Sequence, residues 1–274
     1  MSPTLGAPWL APLAPTLTLL GPLAMAGHWS VCLDRLNQMA HERGIVNARG
    51  HPLRFIDASL ARPIPYESHV WLHGEVPTRT GEGAWHDFFN ALMWITLPQT
   101  KAQLNALQAA AIEREGVGAR RGPLRDAATL FDENAALVIA APGPWLTAWR
   151  SRDWHSLFVT GRAAAGRQWL PVLFGHALLD KLRAPYKSVC AHGWLIHDPS
   201  LLPVHATDDE LLAPAWLARL DAAAAGSLAQ PGFRRDAFLP LPVLGWPGWC
   251  AANEDPRFYD DPAVFRPLPA ASPS

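Results

Sequence analysis

The sequence predicts an α+β protein: a helix-rich single domain with a small sheet, with a mostly-α fold as the rival. Three observations point there. Helical periodicity recurs in most stretches between residues 31 and 225. Only residues 135–141 (AALVIAA) and 188–196 are strand-like. And 27 prolines in 274 residues, about twice the usual ~5%, keep the elements short.

Taken in order, residues 1–30 read as a Pro-rich apolar arm that lays Trp9, Leu17 and Leu20 onto the domain, with Pro8, Pro12, Pro15 and Pro22 interrupting any helix. No Lys or Arg precedes Arg35, so the arm lacks the positive start of an export signal. Its longest uninterrupted run is too short to span a membrane. Residues 31–43 form an amphipathic helix, capped by Ser30 and stopped by Gly44. Residues 51–64 are extended, and 76–79 form a turn. Residues 85–97 make a strong helix halted by Pro98. Residues 100–115 make another, with Lys101 and Gln103 outward and Leu104, Leu107 and Ala111 inward. Pro123 opens a helix over 124–131, followed by a turn at Asp132, Glu133 and Asn134. Helices are expected over 145–160, 171–182 and within 208–225. Residues 31–267 are read as one globular domain, in which 231–267 form a Pro- and Gly-rich strap with aromatic pegs.

Composition narrows the function. Hydrophobic residues make up 49% and charged residues 17%, enough apolar mass for a core and too much for disorder. Twenty-three Lys and Arg against 24 Asp and Glu give a net charge of −1, which argues against a nucleic-acid partner. Cys32, Cys190 and Cys250 are far apart and form no CxxC pair, so neither a zinc knuckle nor a disulfide framework is indicated.

Three constellations can carry chemistry. In WHDFFNAL (85–92), His86, Asp87 and Asn90 share one face at the start of a helix, among aromatic side chains. A carboxylate in such company must be paired, hydrogen-bonded or metal-bound. The bland alternative is that Asp87 caps its own helix and His86 bonds locally. In RRGPLRDAATLFDEN (120–134), Arg120, Arg121 and Arg125 cluster at a helix start suited to anions. Asp126, Asp132 and Glu133 supply oxygen ligands that suit Mg²⁺ or Mn²⁺. The alternative there is that Arg125 pairs with Asp87 or Asp132 inside the fold. In FGHALLDKL (174–182), His176 and Asp180 are one turn apart, and Gly175 lets something pack closely. His192, beside Cys190 on a strand-like run, is a weaker fourth contributor. No HExxH, P-loop, GxGxxG or GxSxG pattern occurs.

These strings carry a resemblance. WHDFFNALMWITLPQTKAQLNALQ (85–108), RRGPLRDAATLFDENAALV (120–138), WHSLF with Arg162 soon after, FGHALLDKLRAP (174–185) and PLPVLGWPGWCAANEDPRFYDDPAVFRP (240–267) resemble a bacterial family known as domain of unknown function 3025. The resemblance runs from about Leu36 to Pro267. It implies one family-wide domain and a chiefly proteobacterial, cytoplasmic setting. It implies no activity and no catalytic residues.

The residues themselves support two expectations. The first is a metal-assisted hydrolase of a phosphorylated or otherwise anionic small molecule. His86, Asp87 and His176 would be catalytic, Asn90, Arg121 and Arg125 would bind substrate, and Asp126, Asp132 and Glu133 would hold the cation. This requires the three constellations to meet in one cleft. The second is a non-catalytic binding or assembly protein whose polar motifs form a structural network.

Overall fold

The computed structural model describes residues 5–116, 122–203 and 213–268. Its elements are α1 (Ala14–Met25), α2 (Trp29–Glu42), β1 (Arg54–Asp57), α3 (Tyr66–His73), β2 (Glu75–Thr78), α4 (Ala84–Thr96), α5 (Pro98–Glu115), α6 (Pro123–Asn134), β3 (Ala135–Ala140), α7 (Pro144–Ser151), β4 (Trp169–Leu173), α8 (His176–Lys181), β5 (Cys190–Ile196), α9 (Pro214–Leu228) and β6 (Leu239–Pro242). Helix far exceeds strand, and the class is helix-rich α+β.

β3 is apolar throughout and buried at every position, as an interior strand must be. It lies second in a four-stranded sheet of order β4-β3-β5-β6. It pairs antiparallel to β4 and parallel to β5, and β6 closes the other edge antiparallel. A separate two-stranded parallel sheet joins β1 to β2, with Arg54 opposite Glu75 and Asp57 opposite Thr78. The expected turn at 76–79 is therefore mostly strand. Its prolyl residue, Pro77, is tolerated because a two-stranded sheet leaves each strand an unpaired edge.

α4 is apolar on nearly every face, and Phe88, Phe89, Leu92, Met93, Trp94 and Ile95 are all buried, which marks it as the central helix. Leu97 breaks it, and Pro98 starts α5 at once, a position where proline's missing N–H costs nothing. The first turn of α5 is capped from α9, across 121 residues. Asp221 accepts hydrogen bonds from the Gln99 and Thr100 amides (2.9 and 2.8 Å) and from the Thr100 hydroxyl (2.7 Å).

Three further expectations change. Residues 171–182 are not one helix. Pro171 sits inside β4, and α8 begins only at His176, with Gly175 as its N-cap. A Cβ on Gly175 would lie 2.4 Å from the Asn134 backbone nitrogen, so close packing does require the glycine, at the helix start rather than inside it. Residues 132–134 are the last turn of α6, not a separate turn. In the arm, the prolines do not stop a helix: Pro15 occupies the first turn of α1 and Pro22 is accommodated within it. Trp9, Leu17 and Leu20 are buried as expected.

The strap carries β6 and buries Trp246, Tyr259 and Phe265. The Tyr259 hydroxyl donates to the Gly245 carbonyl at 2.9 Å. Among its acids, Glu254 pairs with Arg162, Asp261 with Lys187 and Asp255 with the neighbouring Arg257. No helix among the described residues is long and apolar enough to cross a membrane.

The remote cap predicts a measurable cost. Asp221→Ala strands two first-turn amides of α5, that of Thr100 buried and that of Gln99 partly so, but also relieves a buried carboxyl whose pKa burial pushes up. The net loss is expected to be about 2 kcal/mol in urea denaturation. Asp221→Asn, which keeps one acceptor, should lose less.

Candidate functional site

The polar residues of α4 are set by its start. Gly83 adopts a left-handed conformation (φ 75°) and turns the chain into the helix, placing His86 and Asp87 in the first turn and Asn90 one turn on. Asp87 does not cap its own helix. It accepts from the Arg79 backbone N–H (2.7 Å), Nε (2.8 Å) and Nη2 (2.7 Å), fastening the segment after β2 to α4. His86 does not bond locally either. Its Nε2 lies 3.1 Å from Nε2 of His176, 90 residues away.

α6 and α8 supply the other groups. Because Gly175 presses against the β3–α6 junction, His176 at the head of α8 meets the last turn of α6. His176 Nε2 is 3.6 Å from Glu133 Oε2, and His86 Nε2 is 4.0 Å from the same oxygen. One ligand atom each from His86, Glu133 and His176 thus falls within 4.8 Å of the others. Two ligands on one tetrahedral zinc ion stand ~3.3 Å apart, given bonds of ~2.05 Å, so the three spacings bracket the value a shared ion needs. On its other side the His176 ring turns Nδ1 toward Asp132 Oδ1 at 3.7 Å. That nitrogen is buried and has no hydrogen-bond partner among the described residues.

Asp132 is held from below by Lys101. This lysine, expected outward, is only 2% exposed. Its ammonium donates to Asp132 Oδ1 (2.5 Å) and to Asn90 Oδ1 (2.7 Å). Burial disfavours the charged carboxylate, but Lys101 and then His176 outweigh it and hold the Asp132 carboxyl well below the usual range. Burial, then the neighbouring His176 ring, lowers the pKa of His86, which favours the neutral, metal-ligating form. Burial, then the Asp132 charge, pushes the Tyr66 phenol up.

These groups open onto a cleft of about 360 Å³ lined by Tyr66, Glu67, Arg79, Gln108 and Thr129 together with His86, Asp87, Asn90, Asp132, Glu133 and His176. Six of the nine site residues read from the sequence therefore share one cleft. Arg125 and Asp126 do not line it. They lie in the first turn of α6, about 10 Å along the helix from Asp132 at 1.5 Å per residue. Arg125 is buried and Asp126 exposed. Arg125 pairs with neither Asp87 nor Asp132, whose partners are Arg79 and Lys101. Arg120 and Arg121 lie outside the described residues. Asp180 pairs with Arg183 (2.7 Å) rather than with His176, and His192 packs beside Phe238 away from the cleft.

Sequence reasoning missed Lys101, Tyr66, Arg79 and Gln108. A signal existed for α5: Lys101, Asn105 and Gln108 recur at i, i+4 and i+7, a polar stripe on one helix face, and all three are buried. Nothing local marked Tyr66 or Arg79.

A buried cation that neutralises a buried carboxylate makes a pH-dependent prediction. Lys101→Met is expected to destabilise the protein by about 3–5 kcal/mol at pH 7.5, because it leaves Asp132 charged and unpaired. The wild-type carboxyl is depressed, so its stabilisation is present above the unfolded pKa and lost as pH falls. In the variant, burial is opposed only by the weaker His176 contact, and that pKa rises relative to wild type. The gap between the two proteins should therefore narrow in denaturation curves at pH 4.5.

No curated protein and no solved structure matches the chain. A family match does exist, to the family described as "Protein of unknown function (DUF3025)", over residues 53–268. The matched stretch contains every residue of the cleft and well over half of the sequence. The chain belongs to the DUF3025 family.

Proposed function

We propose that the cleft is the active site of a divalent-metal-dependent hydrolase acting on a small phosphorylated or otherwise anionic molecule. The observation that carries this reading is the convergence of His86, His176 and Glu133, from three different helices, with ligand atoms within 4.8 Å of one another. Two imidazoles and one carboxylate suit Zn²⁺, Mn²⁺ or Fe²⁺ better than Mg²⁺. The sequence expectation of Mg²⁺ or Mn²⁺ rests on an all-oxygen set, of which only Glu133 belongs to this cluster. A cation held there would supply the Lewis acidity that makes water nucleophilic near neutral pH.

The protein's own groups supply the rest. Asp132 stands behind His176 as the carboxylate that orients a ligating imidazole. Lys101 keeps that carboxylate charged. With both histidines taken as ligands, Asp87, whose position Arg79 fixes, would be the carboxylate of the cleft to accept a proton from water. With Arg125 away from the cleft, the side chain among the described lining residues that can meet a substrate's negative charge is Arg79, about half exposed.

One observation favours the second reading, a binding or assembly protein with a structural polar network. The 3.1 Å contact between the two Nε2 atoms is also a good hydrogen bond between neutral imidazoles, and it satisfies both Nε2 atoms with no ion present.

Thermal melting separates the two. After EDTA treatment, addition of Zn²⁺ or Mn²⁺ at about 100 times Kd should add about 2.7 kcal/mol. That corresponds to a rise in Tm of about 5–10 °C for a chain of this size. His176→Ala should abolish the rise. A flat response to every divalent ion in the wild-type protein supports the network reading and removes the hydrolase.

A further inference from the structure

The hydrogen-bond chemistry around Tyr66 leaves its hydroxyl only one thing to do. A lysine ammonium has no acceptor, so Asn90 must turn its carbonyl oxygen toward Lys101 Nζ (2.7 Å). That fixes the amide orientation, and Asn90 Nδ2 donates to the Tyr66 oxygen at 2.9 Å. An indole nitrogen is also only a donor, and Trp94 Nε1 donates to the same oxygen at 3.2 Å. Both acceptor positions of the hydroxyl are thereby filled. Its hydrogen is the group's one remaining contact, and no acceptor among the described residues receives it. Tyr66 lines the cleft that holds His86, Glu133 and His176. Gln108 lines it too, and it is 6% exposed with no side-chain hydrogen bond among the described residues.

We propose that Tyr66 is the oxyanion donor of this cleft: it gives its hydroxyl hydrogen to a carbonyl or phosphoryl oxygen of the substrate, with Gln108 as a second polar contact beside it. The substrate is then an ester, amide or phosphate ester whose oxygen gains negative charge when water adds to the adjacent carbon or phosphorus. Donors fixed before the reaction are most effective where charge develops, and Tyr66 is fixed by two partners from α4, one of them held in turn by a buried charge. Asn90 and Trp94 are positioning residues in this arrangement. The inference rests on the metal-centre reading of the same cleft.

Co²⁺ and inorganic phosphate test it on the full chain. Co²⁺ bound by wild-type protein gives a visible absorption band, and phosphate titrated into the loaded protein perturbs that band. Tyr66→Phe is expected to bind Co²⁺ within twofold of wild type and to bind phosphate about tenfold more weakly, the loss of one hydrogen bond to a charged group. A second measurement avoids any folding defect in the variant. The chain has three tyrosines, and Tyr66 is the one that lines the cleft. Protein labelled throughout with 3-fluorotyrosine, a stronger donor of the same shape, should bind phosphate at least twofold more tightly. A normal Co²⁺ band with phosphate affinity unchanged in both proteins, or absent from wild type, overturns the role of Tyr66 and leaves the metal centre standing. No Co²⁺ band in wild-type protein overturns both.

Discussion

A lysine ammonium sealed inside the protein cannot go unpaired, and the packing of the helical half answers to that requirement. Lys101 on α5 finds Asp132 on α6 and Asn90 on α4. Three helices distant in sequence are thereby held at hydrogen-bond distance around one charge. The buried pair is not the main source of stability, since a well-packed apolar replacement often does as well. It acts as a registration device: only one sliding position of α4, α5 and α6 satisfies all three side chains. Asn90 passes that registration on to Tyr66, and Asp132 passes it on to His176.

A second constraint is steric. The Gly175 backbone lies against Asn134 at a distance that excludes any side chain. The head of α8 can therefore sit against the end of α6, and His176 and Glu133 come within reach of each other. The amides of Phe174 and Gly175 both donate to the Ala135 carbonyl at 2.9 Å, which pins this junction to the first residue of β3. Charge pairing below and backbone contact behind thus converge on the same few atoms. The short imidazole–imidazole contact follows from both.

Much of this was legible in one dimension. The periodicity of 85–97 and 100–115 and the apolar run of 135–141 correspond to α4, α5 and β3, because burial on one face or on all faces leaves its mark in residue order. His86, Asp87, Asn90 and His176 were recognisable as polar groups set among apolar neighbours, and Asp132 and Glu133 as adjacent oxygen ligands. The misreadings share a cause. Pro171 looks incompatible with a strand, yet β4 is an edge strand, where one N–H of each pair faces away from the ladder. Lys101 looks like a solvated residue, because a lysine usually is one. Arg125 looks like a site residue because it belongs to an arginine cluster at a helix start, and Asp126 because it adds an oxygen ligand to Asp132 and Glu133, but nearly two helical turns separate both from Asp132.

The residue order settled the class, the central helices, the buried strand and the polar groups that needed partners, since each depends on local pattern and on the cost of burying charge. The partners themselves were decided only by the folded chain. Asp87 takes Arg79, Asp132 takes Lys101, Asp221 caps a helix 121 residues away, and His86 meets His176. A carboxylate states that it must be neutralised but not by which cation, because hydrogen bonds and ion pairs act over a few ångströms and are indifferent to distance along the chain.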